Sequence, residues 1–274
     1  MSLVFTAPPR RMGLRAILRV VGFAGLGAIL VVVGLSNVLA YAPADAQNVG
    51  RALSPPSQVF PFGTDLFGRD VLSEVLHALA VTVGHATIAV VVTIVTGGIL
   101  GFLAVRFPMR TGAVLRWIAS VLGALPPLFL AILIIGLTSR GFAPEAAGLA
   151  AAPHAFLRAF DRARALARSR HAEFARATGI PVTTLMRRDL VYEIRDNFLS
   201  MAARSLAAVT ITLATLSFFG FGASPPRRDL GLMIAAARES YFDAWWTAAF
   251  PALVLMLFIL CARLAACLDE GEQP

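Results

Sequence analysis

Few side chains in this 274-residue chain could do chemistry, and their spacing argues against catalysis. His77 and His85 lie about 80° apart around a helix, a poor arrangement for a metal pair. Those positions suit core or interfacial histidines better than metal binding. Cys261 and Cys267 fall far around a helix from each other within an apolar run, so they read as packing residues rather than a disulfide or metal pair. No nucleophile stands beside a base, and no H-E-x-x-H pattern is present. The chain is therefore expected not to be an enzyme, with no catalytic residue and no metal or cofactor of its own. All 24 basic residues are arginine. A phosphate-binding loop of the G-x-x-x-x-G-K-[ST] type needs a lysine on the β/γ phosphates. Any ATP, with its magnesium, must then sit on another polypeptide.

Two charged stretches interrupt the apolar sequence. FPFGTDLFGRDVLSEVL, Phe60 to Leu76, offers Thr64 and Asp65 as a cap for a helix start, with turns at Gly63 and Gly68. Arg69, Asp70 and Glu74 read there as surface ion pairs, and the segment could also touch an external protein or substrate. The second stretch is an arginine-dense run from Arg158 into EFARATGIPVTTLMRRD, Glu173 to Asp189. Phe156, Phe160, Ala163 and Ala167 recur at helical spacing. Gly179 suits a helix stop, and Pro181 the first position of a new helix. Val182, Leu185, Met186 and Leu190 then share one face of a short amphipathic helix. Such a helical elbow could lie on anionic lipid, act as a solvated connector, or dock in a groove of a partner. The preceding charged stalk favours docking.

These stretches hang on a frame that reads as membrane. Hydrophobic residues make up 58% of the chain, charged residues 15%, and the mean hydropathy is +0.75. Soluble domains average about 45–50% apolar and about 25% charged residues. The fold class is thus all-α: a polytopic membrane protein with about six transmembrane helices, at about 20–41, 76–105, 117–138, 142–160, 200–223 and 244–266. Residues 1–19 form a cytoplasmic N-terminal segment, residues 20–274 the transmembrane domain, and 162–192 the elbow. The N-terminus has the outline of a signal peptide. Its uncharged run from Val20 to Tyr41 nevertheless covers roughly 33 Å as a helix, and reads as an uncleaved first span. Pro126-Pro127 can kink the third span. The fourth, alanine-rich and interrupted by Glu145, Pro153 and His154, suits burial among its neighbours. Arg204 and Arg263, near span ends, suit snorkelling.

Arginine placement orients the bundle with both termini in the cytoplasm. Arginines crowd before the first span, between the second and third, and after the fourth. The third outer loop fits least well, its Arg227, Arg228 and Arg238 being only partly offset by Asp229, Glu239 and Asp243. The net charge of +8 follows from the same rule, and no aromatic-plus-basic surface suggests nucleic acid.

At the elbow the sequence resembles the permease subunits of binding-protein-dependent ABC importers. Glu173, Phe174 and Ala175 stand at that family's Glu-Ala-Ala triplet and Gly179 at its glycine; Val191 and Tyr192 stand near its Leu-Pro end. Phe60–Leu76 is similar to the F-G-T-D-x-x-G-R-D-V-x-S segment of the dipeptide, oligopeptide and nickel permeases. SFFGFGASPPRRDLGLMI, Ser217 to Ile234, is similar to their S-F-L-G-L-G-x-x-P-P-x-x-x-W-G-x-M-I segment, with Leu230 in place of the tryptophan. The short first outer loop matches the C-type permease. The resemblance implies half of a translocation pathway in a bacterial cytoplasmic (inner) membrane, for di- or oligopeptides. It implies as partners a B-type permease, two ABC ATPase subunits and a periplasmic or lipid-anchored solute-binding protein. Glu173, Ala175, Gly179, Pro181, Val182, Leu185 and Met186 would couple to the ATPase. Thr64, Asp65, Arg69, Asp70, Pro225 and Pro226 would lie on the face met by the binding protein. A nickel or other small-solute importer is the alternative within the family. A stand-alone secondary transporter or channel is the alternative outside it, and would need ionisable residues inside the spans. Glu145, near the edge of one span, is the one identified.

Overall fold

The computed structural model of the protein describes residues 14–40, 47–106, 109–138, 143–167, 182–222 and 228–267. Among these the chain is helical, with no strand and one isolated antiparallel bridge between Thr64 and Asp70. The α-helices are α1 (Leu14–Gly34), α2 (Ser36–Leu39), α3 (Val71–Arg106), α4 (Met109–Ala124) and α5 (Pro127–Leu137). They continue as α6 (Ala143–Ala167), α7 (Val182–Phe218), α8 (Leu230–Ala236) and α9 (Trp246–Ala265). Four of them, α1, α3, α7 and α9, are long and apolar enough to cross a membrane.

The other two expected spans take different forms. Helices α4 and α5 together are apolar enough for one crossing, but the chain bends by 99° between them. The cause is the proline pair. Pro126 holds an extended backbone (ψ 134°) just before α5, and Pro127 opens the new helix, where a missing N–H leaves no bond unmade. The expected kink is therefore a full break. Helix α6, with Glu145, Pro153, His154 and Arg158, is not apolar enough to count as a span by composition. It is held by packing instead: Ala143, Ala146, Ala147, Ala150 and Phe156 are buried.

Small residues allow that packing, because apolar helices in lipid gain from close backbone approach rather than from escaping water. A Cβ on Gly148 of α6 would stand 2.6 Å from the Ala89 carbonyl oxygen of α3. Further along, a Cβ on Gly97 would stand 2.8 Å from that of Ala155. The Thr93 hydroxyl donates to Gly148 O across the same seam at 3.0 Å. Residue numbers rise together along both helices, so α3 and α6 run parallel. Helices α1 and α9 meet antiparallel through Gly22 against Ala265 and Gly25 against Cys261. Cys261 is thus a packing residue, buried and free.

The elbow's second helix is not separate. Residues 182–218 contain neither Gly nor Pro, and α7 runs as one helix of 37 residues through the positions expected to divide elbow from span. Val182, Leu185 and Met186 lie on its first turns. Glu173, Ala175, Gly179 and Pro181, with Pro225 and Pro226, fall outside the described residues.

The α3–α6 seam makes a prediction. Gly148→Leu should destabilise the bundle by about 2 kcal/mol or more, since overpacking a tight contact typically costs about 1–3 kcal/mol. Gly98→Leu should not, because nothing lies within 4 Å of a Cβ there. Thermal unfolding of the two variants in detergent separates them.

Candidate functional site: a buried polar clasp

At the end of the bundle where α3 and α9 begin, the Phe60–Leu76 segment folds into a compact hydrogen-bonded loop. Gly63 and Gly68 take φ of +72° and +70°, and a side chain on Gly68 would run into the Asn48 carbonyl. Thr64 is fully buried; its hydroxyl accepts from Ser54 N at 2.8 Å and donates to Arg51 O at 2.5 Å. Asp65 Oδ1 accepts from the backbone of Phe67 and Arg69, each at 2.8 Å. Thr64 and Asp65 therefore shape the loop rather than cap the helix. The cap is Asp70, whose Oδ2 accepts from Ser73 N at 3.0 Å and Ser73 Oγ at 2.5 Å. It wins because the apolar run that must be helical starts at Val71, buried to 1% exposure.

Glu74, one turn into α3, accepts on Oε1 from Arg69 Nη1 at 3.1 Å and from Arg228 Nη1 at 3.5 Å. The side chains of Glu74 and Arg69 are only 6% and 11% exposed, so the expected surface ion pairs are a buried one. The Arg69 guanidinium also lies 4.9 Å from the Phe67 ring centroid, over its face. Because α3 begins at Val71, Glu74 falls inside a segment apolar enough to span, whereas the expected Glu145 lies in α6, which is not.

Helix α8 is bound into the same cluster. Asp229 caps it, Oδ1 accepting from Leu232 N at 2.9 Å, while Oδ2 accepts from Ser217 Oγ of α7 at 2.6 Å. Leu230 N donates to Thr82 Oγ1 of α3 at 3.1 Å. Arg228, one of the three arginines expected to fit their loop least well, is thus paired with Glu74 inside the bundle, and Asp229 is held there by hydrogen bonds. From α9, Trp246 Nε1 donates to Thr64 O at 3.1 Å, and Phe250 stacks on Phe62 at 4.0 Å. Four helices and one loop are tied together here.

Sequence spacing brings Thr64, Asp65, Arg69, Asp70 and Glu74 to one place. It gives no sign of Thr82, Ser217, Arg228 or Trp246 as their partners. Asp229 alone carries a signal, an N-cap residue before an apolar run. A cavity of about 100 Å³ lies beside the clasp, lined by Asp65, Glu74, Arg228, Glu239, Ser240 and Thr247 with an apolar floor of Val71 and Met233. Pockets for drug-sized ligands run to about 300–1,000 Å³, so this one has no room for a peptide. His77 Nδ1 donates to Ser73 O at 2.7 Å, an ordinary helical back-bond. Among the described residues no three His, Cys, Asp or Glu side chains gather as a metal site.

The chain is similar to several bacterial permeases. It is 29% identical over 220 residues to the di/tripeptide transport system permease protein DppC of Pseudomonas aeruginosa strain UCBPP-PA14, covering 77% of this chain and 73% of that one. It is 29% identical over 228 residues to the peptide transport system permease protein SapC of Escherichia coli O6:H1, covering 80% and 77%. With the glutathione transport system permease protein GsiD of Pectobacterium atrosepticum it shares 29% over 227 residues, covering 81% and 75%. Residues 93–267, from the middle of α3 to the end of α9, match a single family across more than half of the chain. With its multi-pass helical bundle, the chain belongs to the binding-protein-dependent transport system inner membrane component family.

Proposed function

We propose that this permease subunit is half of the pathway of an ATP-driven ABC importer for di- or oligopeptides. The relatives named for peptide, di/tripeptide and glutathione transport support that cargo class. A second, B-type permease completes the pathway, a solute-binding protein delivers the cargo, and two separate ATPase subunits hold ATP and magnesium. Both termini lie in the cytoplasm, which puts the clasp end of the bundle outside.

The observation that carries the coupling reading is the continuity of α7. Its 37 residues make a rod of roughly 55 Å. One end carries Val182, Leu185 and Met186, directly after the segment containing Glu173 and Gly179. The other is bonded through Ser217 to Asp229. A displacement of the elbow by a closing ATPase pair would move the far end of the rod without first bending it, as rigid-body switching requires. Thr64, Asp65, Arg69 and Asp70 then hold the shape of the face presented to the binding protein, to which the resemblance of Ser217–Ile234 also assigns Pro225 and Pro226.

Glu173→Arg or Gly179→Pro should reduce peptide-stimulated ATP hydrolysis by the reconstituted transporter at least tenfold, with the chain still inserted. Normal stimulation in both variants would overturn the coupling assignment. At the other end, Glu74→Ala strands two arginines and should destabilise the subunit by about 3 kcal/mol in thermal unfolding, as breaking a buried pair does. Arg228→Ala removes the longer and more exposed contact and should cost only about 1 kcal/mol.

A further inference from the structure

Helix α9 has two faces of different character. Phe258, Cys261, Ala262 and Ala265 are buried against the bundle. On the opposite side Trp245, Leu253, Met256, Leu257, Leu260 and Arg263 form one exposed stripe, Met256 being 63% exposed. At the closest seams between helices of this chain a glycine stands at the contact, as at Gly22, Gly25, Gly97 and Gly148. The stripe is the reverse: long, flexible aliphatic chains, with Ala252 its one small residue. Such side chains hold backbones apart and suit a fluid neighbour better than a second helix.

The ends of the stripe point the same way. From Trp245 to Arg263 is roughly 27 Å of helix, close to the hydrocarbon thickness of about 30 Å. Tryptophan favours the membrane–water interface and arginine can snorkel from a span end, so the stripe has an interfacial anchor at each limit. Beyond Trp245, the turn before α9 carries Tyr241 and Phe242, their rings edge to face at 5.7 Å, with Phe242 97% exposed. An aromatic residue so bare, at the level where the span begins, has an apolar place to go at the boundary between headgroups and acyl chains.

We propose that this stripe of α9 faces lipid, with the Tyr241–Phe242 turn bedded in the headgroup layer, and that the second permease covers a different face. The inference rests on the two-permease assembly proposed above. It is tested in the assembled transporter, reconstituted in nanodiscs of phosphatidylcholine with or without mid-chain bromine, which quenches tryptophan on contact. Met256→Trp and, independently, Leu260→Trp each add one fluorophore on the stripe, and parental emission in the same lipid is subtracted. The added tryptophan should lose at least half its emission in brominated lipid. Emission unchanged by bromine at both positions would overturn the lipid face. The mass of the second permease is read in the same preparation, so its absence would count against the assembly rather than against the stripe.

Discussion

A carboxylate enclosed by apolar helices must find its counter-charge inside the protein, and the arrangement of this subunit's clasp end follows from how Glu74 does so. Ionised and alone, it would be strongly disfavoured at that depth. Arg69 reaches it from the loop before its own helix and Arg228 from the segment leading into α8. Meeting those two arginines fixes where the loop must fold and where α8 must enter. Asp229 then lies next to Ser217, and Leu230 next to Thr82. The polar groups are few, and the bonds they make join segments far apart in sequence.

The remaining helices are arranged by a different constraint. In lipid, apolarity by itself brings no two helices together, so contact goes to the surfaces that can approach most closely. Gly148 and Gly97 provide such a surface between α3 and α6, which explains how α6, not apolar enough to span by composition, holds a central position. Glycines 22 and 25 do the same between α1 and α9. Polar bonds at one end and small-residue seams along the length leave α7 as a long continuous element running from the clasp to Val182.

Much of this could be read from the residues in order, because long apolar runs and glycine turns are local signals. The loop residues Thr64, Asp65, Arg69 and Asp70 are legible as a structured segment for the same reason. Which of several capping residues takes the cap is not, since Thr64, Asp65 and Asp70 are all competent and the choice depends on where the buried face begins. A Pro-Pro pair marks a break but not its 99° angle. The charged residues between Arg187 and Arg195 look like a boundary, yet helix propagation needs only the absence of a breaker, and α7 continues through them. The Glu74–Arg228 contact joins residues 154 positions apart and has no local signature at all.

The central claim is that this chain works as one subunit of a larger ATP-driven assembly. The most direct measurement is affinity capture of the tagged chain from its native membrane in mild detergent, with mass-spectrometric identification of everything retained. The account predicts a second multi-pass permease together with P-loop ATPases, in fixed proportion to the tagged chain. Recovery of the chain alone, monodisperse and active in transport, would contradict it and return the elbow at Glu173–Asp189 to the lipid surface.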